Sequence, residues 1–327
     1  MKTAGKPVVA VDIGGTKIIV AVINNEGKML SRAYRPTHAE QGPTKVISRL
    51  TSLIRLSVNR CGYEMKEIGG ISLAVAGLID INRGLVTVAP NLPHWKDICL
   101  GDILKDEFKI PAFLLNDASA AALGEHCFGA GIGIDNLIYM TVSTGIGGGF
   151  IFDGKLFNGT DGSAAEVGHM IVMADGPACP CGQNGCLEAL ASGTAIARMA
   201  REHLSEGQRS ILQDIVGKQT ASVTAEHVAM AGRKRDVVAL AIIREAAYYL
   251  GIGLSNLVNL LNPQMIVIGG GVSAMGEMLL RPARKSMKEH AFKLPAATVR
   301  VVRAKLNPDS GVLGAAAYAY SRLGGEK

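Results

Sequence analysis

A histidine and three cysteines near the middle of the chain have the residue types and spacing of a metal site. They are His169, Cys179, Cys181 and Cys186, with successive gaps of 10, 2 and 5 residues. Three thiolates and one imidazole complete a tetrahedral ligand set for Zn²⁺, and a set with no open position is typical of structural zinc. Reduced cysteines without a metal are the alternative. A zinc ribbon that binds nucleic acid is disfavoured because the segment carries almost no positive charge.

Two acidic residues flank this cluster. Glu166 precedes the histidine by three residues, and Glu188 follows the last cysteine by two. A bound zinc would hold both carboxylates in fixed positions, where they can accept hydrogen bonds from sugar hydroxyls. His169 could bind zinc through one ring nitrogen and donate from the other to a hydroxyl. Ordinary surface carboxylates are the alternative.

A third acid, Asp117, follows Asn116 where a predicted strand (residues 112–115) meets a predicted helix that ends near residue 128. An aspartate in this position can act as the general base that takes a proton from an attacking hydroxyl, as in kinases. An ordinary helix N-cap is the alternative. If Asp117, Glu166 and Glu188 converge on one pocket, their charges disfavour an anionic acceptor and favour a neutral polyol.

A glycine turn near the start of the chain connects two apolar runs, residues 8–12 and 18–23. This first glycine loop reads Asp12-Ile13-Gly14-Gly15-Thr16-Lys17. Glycines let backbone amides approach phosphate oxygens. Asp12 could hold Mg²⁺ through water, and the Thr16 hydroxyl could donate to a phosphate. A plain β-hairpin turn is the alternative.

The same pattern returns at residues 137–152, where the second glycine loop, residues 143–149, contains Thr144, Gly145 and Gly147. Two such loops suggest one polyphosphate gripped from both sides, and a duplicated α/β domain with a cleft between the copies. The P-loop and Rossmann patterns are both absent, which disfavours an NAD-dependent oxidoreductase. Gly269, Gly270 and Gly271, after a predicted strand at residues 265–268, form the nearest Rossmann-like feature.

Further elements follow from hydrophobic periodicity and from helix start and stop signals. Helices are predicted at residues 44–60, 236–261, 274–290 and 310–322. Strands are predicted at residues 71–76 and 298–304.

Composition and charge narrow the class of protein. The chain has 327 residues, 48% hydrophobic and 19% charged, which fits a globular enzyme of two domains. The net charge is +6, and the longest basic run, Arg233-Lys234-Arg235, has no interleaved aromatic residues, so it predicts a solvated helix end rather than nucleic-acid binding. With no signal peptide and no run of about 18 uninterrupted apolar residues, we expect a cytoplasmic protein that does not enter a membrane.

From residue 8 to about residue 320, the chain resembles the ROK family of repressors, open reading frames and kinases. Both glycine loops match that family's phosphate motifs. The segment from Glu166 to His169, followed by Cys179 to Glu188, matches the family signature. The resemblance implies a duplicated, actin-like, hexokinase-type ATPase fold with two domains flanking a cleft. It implies a small N-terminal domain of residues 1–116, completed by a helix at 309–327, and a large domain of residues 117–308 with the zinc-binding loop.

The resemblance also implies roles for individual residues. Asp117 is the expected catalytic base, and the adenosine pocket is expected around Gly269 to Gly271. The expected sugar-binding residues are Gly77, Asn91, Asn116, Asp117, Glu166, His169 and Glu188. The expected cofactor-binding residues are Asp12, Gly14, Gly15, Thr16, Lys17, Thr144, Gly145, Gly147, Gly269, Gly270 and Gly271. Ser119 departs from the asparagine common in relatives, and residues 207–223, an apparent insertion, receive no role.

The implied activity is phosphorylation of a neutral hexose at its 6-hydroxyl, with ATP, Mg²⁺ and one structural Zn²⁺. Glucose is favoured because it is the commonest substrate of stand-alone bacterial members. N-acetylmannosamine, N-acetylglucosamine, fructose and allose remain alternatives, as does a sugar-sensing regulator without catalysis. The family's repressors carry a DNA-binding domain before the first phosphate motif, whereas only seven residues precede residue 8 here, so a kinase is favoured. We expect a homo-oligomer, a dimer or a tetramer, with no nucleic acid as partner.

Overall fold

The structure, a computed structural model, describes residues 5–217 and 219–324. Its strands, in chain order, are β1 (Val8–Ile13), β2 (Lys17–Ile23), β3 (Met29–Pro36), β4 (Ile71–Val75), β5 (Leu78–Asp80), β6 (Leu85–Val88), β7 (Lys96–Ile98), β8 (Ala112–Asn116), β9 (Leu137–Val142), β10 (Ile146–Phe152), β11 (Lys155–Phe157), β12 (Met265–Gly269) and β13 (Arg300–Arg303). Its α-helices are α1 (Gly42–Arg60), α2 (Leu100–Phe108), α3 (Asp117–Phe128), α4 (Leu187–Ala191), α5 (Gly193–Ser205), α6 (Leu212–Val216), α7 (Ala225–Arg233), α8 (Val237–Leu261), α9 (Glu277–His290), α10 (Lys293–Thr298) and α11 (Ser310–Gly324).

The chain forms two compact units. Of the described residues, the first comprises 5–135, 149–165 and 304–324, and the second comprises 136–148, 166–217 and 219–303. The first unit is built on a sheet of order β3-β2-β1-β4-β8, in which β1 pairs antiparallel with β2 and parallel with β4. A small sheet of order β5-β6-β7 belongs to the same unit.

Both faces of the sheet are buried at β1, so residues 8–11 form a continuous apolar run rather than alternating with polar residues. Successive side chains point to opposite faces. Val9 and Val11 therefore join one core cluster, while Val8 and Ala10 join another that contains residues of α11.

The first unit extends beyond residue 116, where the sequence predicted a domain boundary. It includes α3 because α3 packs closely against α11. Glycines at the contact allow the backbones of the two helices to lie close together. A Cβ on Gly314 would lie 1.6 Å from the Ala120 carbonyl oxygen. A Cβ on Gly124 would lie 2.2 Å from the Ser310 carbonyl oxygen. Sequence spacing alone carries no sign of this contact between distant helices.

The second unit contains β9, β12 and β13 of a sheet of order β11-β10-β9-β12-β13, in which β12 pairs parallel with both β9 and β13. Its longest helix, α8, packs against α9, α4, α7 and α5. By length and hydropathy α8 could cross a membrane, but 56% of its most apolar window is buried inside the protein. This burial is typical of the core helix of a folded domain.

Several elements differ from the sequence predictions. The second glycine loop is shorter than expected, because β10 already begins at Ile146 and its glycines adopt extended backbone. Helix α9 begins at Glu277 rather than residue 274, because residues 271–275 form a 3₁₀ turn that ends at Gly276 with φ +61°. Helix α10 was not predicted, and it shortens the predicted strand at residues 298–304 to β13.

Candidate active site and metal centre

Asn116, rather than Asp117, caps α3. Its Oδ1 accepts hydrogen bonds from the backbone N–H groups of Ala118 at 2.9 Å and Ser119 at 3.2 Å. Its Nδ2 donates to the Gly77 carbonyl oxygen at 3.1 Å, which joins two of the expected sugar-binding residues. Asp117 is therefore the first residue of α3 and does not serve as its N-cap.

The charge of Asp117 acts on the carboxyl group of Asp12 inside the first unit. Burial, followed by the charge of Asp117, raises the pKa of Asp12 to about 7, although Lys17 opposes the shift. Burial also raises the pKa of Asp117, against the hydrogen bond donated by the Ala118 N–H. A nearby cation would stabilise the ionised form of a buried carboxylate, so the surroundings of Asp12 are compatible with the predicted Mg²⁺ site.

The first glycine loop is a tight connection between β1 and β2. The Gly14 N–H donates to the Lys17 carbonyl oxygen at 3.0 Å, and the Thr37 hydroxyl donates to the Gly14 carbonyl oxygen at 2.6 Å. Thr16 is exposed. A Cβ on Gly15 would lie 2.5 Å from the Asn91 carbonyl oxygen. The first unit thus brings the loop, Asn91, Gly77, Asn116 and Asp117 into one region through short contacts.

The four predicted zinc ligands converge in the second unit. Their ligand atoms all lie within 4.8 Å of one another, with Cys181 Sγ 3.6 Å from Cys186 Sγ and Cys179 Sγ 3.7 Å from His169 Nδ1. Tetrahedral Zn²⁺ with sulfur ligands at about 2.3 Å separates neighbouring sulfurs by about 3.8 Å. The observed separation fits that ion and is far too long for a disulfide bond of about 2 Å. The donor set therefore fits structural zinc.

Two glycines give the cysteine segment its sharp turns. Gly182 has φ +93° and Gly185 has φ +70°, in the region that glycine favours. A Cβ on Gly185 would also lie 1.5 Å from the Met173 carbonyl oxygen. The segment can gather three sulfurs only because its backbone folds this tightly.

The other expected residues of the second unit lie around this centre. Glu166 and His169 are exposed, and the His169 N–H donates to the Glu166 carbonyl oxygen at 3.0 Å. Glu188, the second residue of α4, is partly buried. Its Oε2 accepts a hydrogen bond of 2.7 Å from the N–H of Ile146, which follows Gly145.

A cavity of about 690 Å³ lies beside the second glycine loop, within the range of roughly 300–1,000 Å³ typical of small-ligand sites. Ser143 and Thr144 form part of its lining, and so do the first residues of α5 and α7. Gly271 also lines the cavity. Gly269 and Gly270 instead allow close packing, since their Cβ atoms would lie 2.0 Å from the Tyr139 hydroxyl and 2.4 Å from the Val142 carbonyl oxygen.

Three charged side chains of the cavity were not predicted as site residues: Arg201, Glu226 and Arg233. Arg233 belongs to the basic run, which sequence reasoning placed at a solvated helix end. Val223, the last residue of the stretch without an assigned role, lines the same cavity and accepts a hydrogen bond of 3.3 Å from Arg201. Arg201 lies on α5, and Glu226 and Arg233 lie on α7. These side chains come together only through packing between separate helices, so local spacing in the sequence carried no signal for them.

Comparisons with known proteins identify the family and the fold. The family model described as "ROK family" matches residues 8–322. A glucokinase of Thermotoga maritima is 38% identical over 97% of this chain and 98% of its own length. The crystal structure of a ROK family glucokinase from Streptomyces griseus, in complex with glucose and AMPPNP, is 34% identical with a TM-score of 0.85 and covers 96% of this chain and 99% of its own. The ROK hexokinase from Thermus thermophilus is also 34% identical, with a TM-score of 0.80, over 98% of this chain and all of its own.

Proposed function

Since the chain belongs to the ROK family, we propose that it is an ATP-dependent hexose kinase that phosphorylates glucose at the 6-hydroxyl. The predicted actin-like, hexokinase-type fold is confirmed by the solved relatives. The observation that supports the catalytic assignment is the arrangement at the start of α3, where Asn116 caps the helix and leaves the Asp117 carboxylate close enough to act on the charge of Asp12.

ATP is the phosphoryl donor in this proposal. The cavity beside the second glycine loop accommodates the adenosine, with Arg201, Glu226 and Arg233 as polar groups for base and ribose. Backbone amides of both glycine loops bind the phosphates. Asp12 holds Mg²⁺ through water, and the ion supplies neutralisation of phosphate charge.

Polar groups of the backbone and of side chains bind the hexose in this proposal. The residues proposed for its hydroxyls are Gly77, Asn91, Asn116, Asp117, Glu166, His169 and Glu188. Three of these are carboxylates, which accept hydrogen bonds from neutral hydroxyls and repel anionic acceptors. The four ligands of the cysteine cluster hold structural Zn²⁺ and thereby fix the segments that carry Glu166 and Glu188.

Asp117 acts as the general base. Its carboxylate accepts the proton of the 6-hydroxyl as the γ-phosphoryl group moves in line to that oxygen. Burial raises the pKa of Asp117, which brings its basicity closer to the working pH than that of an exposed aspartate. Positioning and charge neutralisation supply most of the rate acceleration.

The cellular setting follows from this activity. A kinase that consumes ATP and a free hexose belongs in the cytoplasm, without nucleic acid or membrane as partner. The exposed apolar side chains Leu260, Phe292 and Leu294 of the second unit support a homo-oligomer, since each is more than three-quarters exposed.

A coupled assay for ADP release tests the proposal. The purified protein is incubated with ATP, Mg²⁺ and, in turn, glucose, N-acetylmannosamine, N-acetylglucosamine, fructose or allose. Glucose is expected to give the highest kcat/KM. A higher value for another hexose would reassign the acceptor. Sugar binding without ADP release would instead indicate a sensing regulator and contradict the kinase assignment.

A further inference from the structure

Ile146, the first residue of β10, is held from two sides by the metal-binding segment. On one side, the Ile146 N–H donates to Glu188 Oε2 at 2.7 Å. On the other, the Ile146 carbonyl group lies against Gly168, where a Cβ would come within 2.1 Å of the carbonyl oxygen. No side chain larger than hydrogen fits at position 168 without displacing Ile146.

The loop itself packs equally closely on Glu188. A Cβ on Gly145 would lie 2.3 Å from Glu188 Oε2. Because Gly145 has no side chain, the Glu188 carboxylate can reach the backbone N–H of Ile146. This packing requirement is separate from any contact between Gly145 and phosphate. All these residues belong to the second unit.

The contacts of Glu188 and Gly168 with Ile146 form a clamp, and both residues adjoin metal ligands in the sequence. Gly168 directly precedes His169, and Glu188 follows Cys186 by two residues. The two sides are also joined to each other, since the Leu187 N–H donates to the Met170 carbonyl oxygen at 2.8 Å and Ile171 pairs with Cys186 in an isolated β-bridge. The ion that these ligands fit would therefore fix the position of Ile146 as well as that of Glu188.

We propose that Glu188 and Gly168 are positioning residues for the second glycine loop, so that the Cys₃His segment controls nucleotide binding as well as sugar binding. This inference rests on the proposed function. A carboxylate has two oxygens, and Oε2 accepts from Ile146 while the other can accept from a sugar hydroxyl. One residue thus couples the sugar side of the site to the nucleotide side, which a role in sugar binding alone does not predict.

The test compares Glu188→Ala with Glu188→Gln by isothermal titration calorimetry. ADP is titrated without sugar, and glucose is titrated without nucleotide. We expect Glu188→Ala to weaken ADP binding about 10-fold, because an acceptor of the Ile146 N–H is lost. Glu188→Gln keeps a carbonyl oxygen for that N–H, so ADP affinity should return to within about 3-fold of wild type while glucose affinity stays reduced.

Matched controls separate this effect from loss of folding. Glu289→Ala removes an exposed carboxylate of α9 and should leave both affinities unchanged. Zinc content and Tm show whether each Glu188 variant is folded. Hydrogen exchange of the peptide that contains Ile146 gives a second readout, and it should be faster in Glu188→Ala than in Glu188→Gln.

Gly168→Ala probes the other side of the clamp. The variant should retain about one zinc per chain, since the ligands are unchanged, but it should bind ADP at least ~10-fold more weakly because the loop is displaced. Gly324→Ala, where the added Cβ meets nothing within 4 Å, is the control.

The outcomes distinguish this inference from the kinase assignment. Wild-type ADP affinity in both Glu188→Ala and Gly168→Ala would overturn the clamp and leave the kinase assignment intact. Failure of every hexose to elicit ADP release would overturn the kinase assignment, while the ADP titrations would still test the clamp. A wild-type protein that bound no ADP would overturn both.

Discussion

The carboxyl group of Asp12 lies in surroundings that oppose its ionisation. Burial and the charge of Asp117 raise its pKa to about 7, from an ordinary value near 3.8. The folded state therefore favours the protonated form. The stability contributed by this group is complete below the unfolded pKa near 3.8 and is lost as the pH rises through about 7.

Asp12→Asn should accordingly raise Tm at pH 8 in the absence of Mg²⁺ and nucleotide, by a few degrees, and the gain should shrink as the pH is lowered. Differential scanning calorimetry between pH 5 and 8 measures it. Asp106→Asn, at an exposed position of α2, should show no such trend. A pH-independent difference would contradict the raised pKa. The stabilised variant should lose activity, because the proposed Mg²⁺ ligand is gone.

Among individual residues, those whose roles depend on neighbours in the sequence could be predicted from it. The zinc ligands and both glycine loops are recognisable because the chemistry requires those residue types close together in the chain. Sequence reasoning missed Arg201 and Glu226, which reach the cavity only through the packing of α5 and α7. It also treated Glu188 as a sugar ligand alone, because its bond to Ile146 spans 42 residues of sequence.

Among the elements, the cysteine segment depends most on a bound ion. Cys181→Ser should lower zinc content well below one per chain and reduce the free energy of unfolding by at least ~2 kcal/mol, because metal binding contributes directly to folding. Metal analysis and denaturant unfolding measure the two effects. Cys127→Ser, at an exposed cysteine on α3, is the control. Unchanged metal content in Cys181→Ser would remove this cysteine from the ligand set.

Helix α3 is anchored to the chain before α11 by a fully buried carboxylate. Glu125 accepts hydrogen bonds from the N–H groups of Ala130, Lys305 and Leu306 and from the Ser310 hydroxyl, at 2.8–3.1 Å. The bonds from Lys305, Leu306 and Ser310 join residues 180–185 positions apart, so no local sequence pattern predicts them. They also fix the helix that begins with Asp117.

Glu125→Ala should reduce the free energy of unfolding by about 3 kcal/mol or more, because several buried donors lose their acceptor. Glu125→Gln should cost less, since one carbonyl oxygen remains. Glu107→Ala removes an exposed partner of Arg55 and should cost less than ~1 kcal/mol. Urea unfolding compares the three variants. Equal stabilities of Glu125→Ala and Glu107→Ala would contradict the anchoring role.

For the whole molecule, the repeated glycine loops were the sequence feature that best predicted the architecture. Each loop connects the first two strands of its repeat, β1 to β2 and β9 to β10, and the two five-stranded sheets share this plan. The extent of the units was harder to predict. Residues 149–165 and 304–324 return to the first unit through contacts with distant parts of the chain.

Since the cavity in the second unit is the proposed nucleoside site, we expect the whole protein to favour ATP over phosphoryl donors that lack a nucleoside. Because the nucleoside contributes binding energy remote from the transferred group, inorganic polyphosphate should support turnover at least ~10²-fold more slowly than ATP. Glucose 6-phosphate formation with each donor measures this. Comparable rates with both donors would mean that the cavity does not serve the nucleoside.

The central claim is that Asp117 deprotonates the sugar hydroxyl, and Asp117→Asn tests it most directly. Steady-state turnover with glucose and ATP is measured beside glucose binding by calorimetry, with Asp102→Asn at an exposed site of α2 as the control. We predict that Asp117→Asn binds glucose within about 3-fold of wild type and turns over at least ~10²-fold more slowly. Near-normal turnover in this variant would contradict the account.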